Sequence, residues 1–282
     1  MNRPTRTVLL FTLAALPIGQ AHGVLLQEFL FSDPVGTNIV ATSNSVASGQ
    51  PWYDDVQGDL AGLATNGLGQ YDTALKTNTA TGDAFIDVMP DVTSGAVYGV
   101  MELTYAFDEL TFDSAEPEDI RLALLSLGSV GSSTIAAEFQ ITRTSATELA
   151  ISGNAVGAVG SGATGIPAVV LPGGLTASTP LIAVVAANLD TDIFSISFST
   201  DSGVSFTTMG GGKLDPARNF LQVRMRLNND LSQDNVLIDR VAISTHNPFP
   251  GALPSIPEPS CAAIALVCVG AIAAGRRRRV RR

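Results

Sequence analysis

The stretch "IFSISFS", residues 193–199, sets Phe194, Ile196 and Phe198 against Ser195, Ser197 and Ser199. Successive side chains of a β-strand point to opposite faces, so strict alternation gives one apolar and one polar face, whereas a helix would scatter the same residues around its axis. The pattern recurs. "FLQVRMRL" places Leu221, Val223, Met225 and Leu227 opposite Gln222, Arg224 and Arg226, and "STIAAEFQIT" places Ile135, Ala137, Phe139 and Ile141 opposite Glu138, Gln140 and Thr142. "AVYGVMELTYAF" lines up Val97, Met101, Leu103, Tyr105 and Phe107. Further strands are expected over 24–31, 84–89, 120–127, 148–152, 181–187, 204–208 and 236–244, separated by turn-forming stretches such as "SGNAVG", "LPGG", "TDSG" and "MGGGK". No segment has the 3.6-residue periodicity of a long amphipathic helix. About eleven or twelve strands point to an all-β fold, an antiparallel β-sandwich of the jelly-roll kind, with apolar residues inward and polar residues outward.

At 282 residues the chain can bury one large core. Both cysteines, Cys261 and Cys268, lie near the C-terminus, so the body has no disulfide framework and no cysteine-based zinc site. The body from Val24 to Ser255 carries 8 basic against 25 acidic residues, a net charge of −17. Such a surface repels nucleic acid, which is not expected as a partner.

The ends are built differently. Arg3 and Arg6 precede the apolar stretch 8–16, and small residues follow at Gly19, Ala21 and Gly23. This is the layout of a secretory signal peptide over 1–23, read by the Sec translocon and signal peptidase, with the mature chain starting near His22 or Val24. At the other end, "GALPSIPEP" leads into fifteen apolar or small residues, 261–275, and then Arg276, Arg277, Arg278, Arg279, Arg281 and Arg282. As a helix, fifteen residues span roughly 22 Å at about 1.5 Å each, short of a hydrocarbon core of about 30 Å. The arginines would stop translocation and stay cytoplasmic, leaving the body outside.

Pro257-Glu258-Pro259, an apolar helix and a terminal arginine cluster, in that order, resemble the PEP-CTERM sorting signal of Gram-negative bacteria. The resemblance covers 256–282. It implies processing near the Pro-Glu-Pro by an exosortase, a membrane-embedded cysteine protease. It also implies transient residence in the inner membrane and then release to the cell envelope or extracellular matrix. A permanent single-pass anchor is the competing reading. Residues 247–255 are expected as a Pro-rich extended tether between the body, 24–246, and this signal.

"QEFLFSDPVGTNI", "NLDTDIFSISFSTDSGVSF" and "VLIDRVAIST" resemble segments of concanavalin A-like (laminin-G-like) jelly rolls. That resemblance bears on fold and not on activity.

Candidate sites are sparse. Retaining glycosidases need two carboxylates about 5 Å apart. The Glu-x-Asp-x-x-Glu and Glu-x-Asp-x-Glu patterns of the glucanases of this fold are absent, and Glu116-Pro117-Glu118-Asp119 reads as a turn. His246, the only histidine of the body besides the starting His22, reads as a solvated linker residue. Calcium favours oxygen-rich loops, and Asp190 with Asp192, beside Asn188, form one such group. Asp54, Asp55 and Asp59, and Asn228, Asn229, Asp230 and Asp234, form two more. Asx residues equally favour turns for local hydrogen-bonding reasons. "STDSGVSF", 199–206, resembles an Asp-box hairpin and reads as a structural turn. "PWYDD" offers Trp52 and Tyr53 either as a glycan platform or as a core anchor. Two functions are carried forward. The first is a non-catalytic, exported surface or matrix protein contacting extracellular polysaccharide. The second is a secreted glycoside hydrolase or polysaccharide lyase on the same sandwich.

Overall fold

A computed structural model describes residues 23–54, 64–73, 82–106, 118–126, 135–156, 163–171, 180–214, 219–228, 235–254 and 256. The described strands are, in chain order, β1 (Leu25–Phe29), β2 (Tyr53–Asp54), β3 (Ala64–Thr65), β4 (Tyr71–Asp72), β5 (Gly82–Val92), β6 (Ala96–Ala106), β7 (Asp119–Leu125) and β8 (Ile135–Ser145). They continue with β9 (Glu148–Val156), β10 (Ala163–Val170), β11 (Leu181–Asn188), β12 (Ile193–Ser199), β13 (Thr207–Lys213), β14 (Phe220–Asn228) and β15 (Asn235–Ser244). The only other regular element among the described residues is a single 3-10 turn at Ile39–Ala41.

The strands form two antiparallel sheets. One has eight strands in the order β13-β12-β11-β6-β15-β4-β3, with β1 also paired to β15. The other has seven in the order β10-β9-β8-β7-β14-β5-β2. The expected all-β antiparallel sandwich is therefore what the chain forms. Strands β1 and β15 run side by side, and Thr245 N donates to Val24 O at 2.9 Å. The two ends of the body thus leave from the same place.

Alternation decides the core. From the eight-stranded sheet, Val97, Met101, Leu103, Val185, Phe194, Ile196, Val241 and Ile243 face inward; from the seven-stranded sheet, Ile86, Leu122, Leu124, Phe139, Ile151, Val223 and Met225 meet them. Burying a side chain of this size contributes about 1.5–3 kcal/mol. Gly153 permits close approach of the sheets, since a Cβ there would lie 2.0 Å from Ile196 Cδ1.

Several expectations change. In "FLQVRMRL" a register shift between Phe220 and Gln222 puts Phe220, not Leu221, into the core with Val223. The shift reverses the strand's parity at that point, which alternation alone does not show. "MGGGK" is not a turn: Met209–Lys213 belong to the edge strand β13, which pairs with β12. Gly211 lies so close to β12 that a Cβ would sit 2.2 Å from Phe194 O. The strand expected at 204–208 begins only at Thr207, and Val204 is exposed. Strand β10 and the two-residue strands β2, β3 and β4 were not anticipated.

The outer face of the eight-stranded sheet is not polar at its centre. Tyr98, Val100, Ile182, Val184, Ala186 and Ala242 are buried there together with Leu253 and Ile256. The segment expected as an extended tether over 247–255 is instead packed on that face as far as it is described.

The "STDSGVSF" hairpin is a turn, as expected. Ser199 Oγ donates to Asp201 Oδ1 at 2.6 Å, and Ser205 gives Asp201 both its backbone N–H, at 2.9 Å, and its hydroxyl, at 2.5 Å. These bonds, the Ser199 hydroxyl first, lower the Asp201 pKa to about 2. The sign follows: a folded pKa below the unfolded value of about 3.9 gives stabilisation that is complete above that value and lost as pH falls through about 2.

Gly211→Ala should destabilise the fold by about 1–3 kcal/mol in urea unfolding, because a methyl group cannot be placed against a backbone carbonyl. Gly165→Ala, which meets nothing within 4 Å, should change stability by less than about 0.5 kcal/mol. The Asp201 carboxyl carbon should titrate near pH 2 by NMR, and Ser199→Ala should move that midpoint upward.

Candidate ligand-contacting face

The outer face of the seven-stranded sheet carries charge. Period two turns Gln222, Arg224 and Arg226 of β14 outward, with Asp83, Phe85 and Asp87 of β5, Arg121 and Ala123 of β7, and Glu138 and Gln140 of β8. Pairing brings them into rows. Arg224 stands between Phe85 and Ala123, and Arg226 between Asp83 and Arg121. Glu138 pairs with Ala123, and Gln140 with Arg121.

The side chains form a lattice of opposite charges. Arg121 holds Asp119 with Nε at 2.9 Å and Nη2 at 2.8 Å, and Gln140 Nε2 donates to the same carboxylate at 3.0 Å. Arg224 Nη2 donates to Glu138 Oε2 at 3.2 Å, while Arg121 Nη1 lies 3.9 Å from Glu138 Oε1. Arg226 Nε lies 3.7 Å from Asp83 Oδ1, an ion pair without a hydrogen bond. Both Arg224 and Glu138 are 3% exposed. Burial pushes the Glu138 carboxyl above the usual carboxylate range, and Arg224 and then Arg121 pull it back. The hydrogen bond to Asp119 chiefly holds Arg121 above its ordinary value. Among the described residues of this face, Arg224 Nε and Gln222 Oε1, like the Arg226 Nε and Asp83 Oδ1 atoms of that ion pair, are buried and make no hydrogen bond.

Tyr53 stands at one margin of the lattice. Its ring stacks on Phe85 with centroids 5.8 Å apart, and 37% of the residue is exposed. Its hydroxyl donates to Asp87 Oδ1 at 3.1 Å and accepts from Gln222 Nε2, which also donates to Asp87 Oδ1 at 3.0 Å. An aromatic ring, a carboxylate and an amide therefore meet at the surface, beside the arginines.

The residues singled out from sequence fall in different places. Trp52, offered as half of a glycan platform, is 2% exposed and packs 5.0 Å from Phe29; it is a core anchor. Its neighbour Tyr53 faces the other way and is the exposed member of the pair. Asp190 and Asp192 flank the β11–β12 turn. Asn188, the third oxygen donor expected there, is buried and accepts from the Asp190 and Thr191 N–H groups at 3.0 Å each. Among the described residues no three or more His, Cys, Asp or Glu side chains are grouped to hold a metal ion. Asp54 lies in β2; Asp55, Asp59, Asn229, Asp230 and Asp234 lie outside the described residues.

Glu118 and Asp119 serve ion pairs. Glu118 Oε2 lies 3.3 Å from Arg143 Nη1, and Arg143, itself buried, also donates to the carbonyls of Ser145 and Ala146. His246 is exposed, with Nδ1 2.7 Å from Ser244 Oγ. Pro257, Glu258, Pro259, Arg276, Arg277, Arg278, Arg279, Arg281 and Arg282, the apolar run 261–275 and residues 1–22 of the expected signal peptide 1–23 lie outside the described residues.

Sequence reasoning missed the lattice. It placed Gln222, Arg224, Arg226, Glu138 and Gln140 on the polar faces of their strands without pairing them. The available signal was two arginines and a glutamine alternating along one nine-residue strand, in a body with so few cations.

No family profile and no curated protein sequence matches the chain. Solved structures do resemble it. The potassium-bound carbohydrate recognition domain of Emp46p superposes with a TM-score of 0.46 at 9% identity, over 74% of this chain and 95% of that one. Lectin II from Ulex europaeus gives 0.42 at 10% identity, over 77% and 97%. Peanut lectin gives 0.42 at 10%, over 79% and 97%. Likeness at this level assigns the chain neither ligand nor activity.

The lattice itself is testable. Arg224→Met should destabilise the fold by about 3 kcal/mol in urea unfolding, because it leaves Glu138 buried with only the more distant Arg121. Adding Glu138→Gln should recover most of that loss.

Proposed function

We propose that this chain is an exported, non-catalytic β-sandwich protein that contacts extracellular polysaccharide through the outer face of its seven-stranded sheet. The observation that carries the reading is the meeting of Tyr53, Asp87 and Gln222 at the margin of the Arg121–Arg224–Arg226 lattice. Saccharides present apolar C–H faces and many hydroxyls. An exposed ring flanked by a carboxylate acceptor and an amide suits both.

The carboxylates support binding over cleavage. Asp119 and Glu138 both spend oxygens on guanidinium groups, so neither is a free acid or base poised beside the other. The hydrolase or lyase reading would need such a free pair or an unpaired base.

Export is the second half of the proposal. Signal peptidase would act after the Sec translocon passes the N-terminus. An exosortase-type protease would act near Pro257-Glu258-Pro259 while 261–275 sits in the inner membrane with the arginines inside. The acidic body would then pass to the envelope or matrix without binding nucleic acid.

Purified protein run through gels containing a panel of bacterial exopolysaccharides should be retarded by at least one of them, with no shortening of the polymer. Tyr53→Ala should weaken that retention about five- to ten-fold, the scale of one aromatic contact. Shortening of the polymer would support the enzymatic reading instead, and indifference to Tyr53→Ala would remove this face from the proposal.

A further inference from the structure

Residues 247–254, together with Ile256, form a strap on the outer face of the eight-stranded sheet. Asn247 opens it: its Oδ1 accepts from Phe249 N at 2.9 Å, and its Nδ2 donates to Leu253 O at 2.8 Å. Leu253 N returns to Phe249 O at 2.9 Å, which closes a compact turn. Phe249 packs against Phe206 with ring centroids 4.9 Å apart. Gly203, at φ +83°, leaves room for it, since a Cβ there would lie 3.2 Å from the Phe249 ring. Leu253 and Ile256 are 4% and 3% exposed, in one apolar cluster with Tyr98, Val100, Ile182 and Val184.

The strap ends where the sorting motif begins. Pro257 follows Ile256 directly, so no free linker separates the folded body from the Pro-Glu-Pro. Proteases cut extended, accessible chain, and folded segments are cut only after local opening. We propose that the strap makes the folded sandwich, and not the tail, decide where the chain can be cut. Bonds through Ile256 are withheld by docking, the cut falls beyond Ile256, and the released protein keeps the strap. This rests on the export reading for the existence of a cut, but not for the docking.

The experiment uses the full chain with Cys261 and Cys268 changed to Ser, and a thiol reporter at Leu253→Cys. Maleimide labelling should be about ten-fold or more slower than at Val204→Cys, whose parent side chain is 77% exposed, and the two rates should converge in denaturant. Ile256→Cys is the second reporter, should Leu253→Cys disturb folding. Equal native rates at both reporters and at Val204→Cys overturn the strap. In wild-type protein released by cells, intact mass should place the C-terminus at Ile256 or later. A C-terminus before Ile256 overturns the inference while leaving export intact. Retention of Arg282 overturns the cut together with the export reading. That failure is told apart from the first because labelling still reports docking.

Discussion

The apolar interlock between the two sheets is the interaction on which everything else depends. The body has no cysteine, so no covalent tie supplements it. Ile196 of one sheet enters the space left by Gly153 of the other, and Leu122 and Leu124 close over Gly99 in the same way. Because side chains alternate with period two, packing one face inward also dictates what points outward. The bulges in β14 and β15 matter for this reason: each lets the strand keep apolar residues inward on both sides of an irregularity. Val236 and Ile238 face the core before the β15 irregularity, and Val241 and Ile243 after it.

The two outer faces then solve opposite problems. The eight-stranded sheet exposes Tyr98, Val100, Ile182 and Val184 beyond its core side, an apolar surface that water would penalise. The chain covers it with its own C-terminal segment. The seven-stranded sheet instead brings arginines and carboxylates together at low exposure, where an unpaired charge is costly. Its answer is mutual pairing: Asp119 with Arg121, and Glu138 with Arg224. The Tyr53 margin is where this paired surface meets solvent.

Legibility from sequence tracks the range of the interaction. Most of the long strands were visible because alternation declares itself within seven to eleven residues, as in β12, where the expected and observed bounds coincide, whereas β10, "ATGIPAVV", lacks that alternation and was not. The "STDSGVSF" turn was visible because Ser199, Asp201 and Ser205 bond to one another locally. Strands β2, β3 and β4 were not, since two residues hold no period and exist only by pairing with distant partners. "MGGGK" misled because glycine usually marks a turn, whereas here it fits an edge strand pressed against the Phe194 carbonyl.

Alternation, the absent cysteines and the segregated charges sufficed, unaided by coordinates, for an antiparallel sandwich with one core, because they act residue by residue along the chain. Tertiary structure alone decided that Trp52 turns into the core while Tyr53 turns out, that Arg224 meets Glu138 across an intervening strand, and that Leu253 and Ile256 lie on a sheet. Those outcomes depend on register and on which strands are neighbours. A pattern of period two is the same for every such arrangement, so it cannot choose among them.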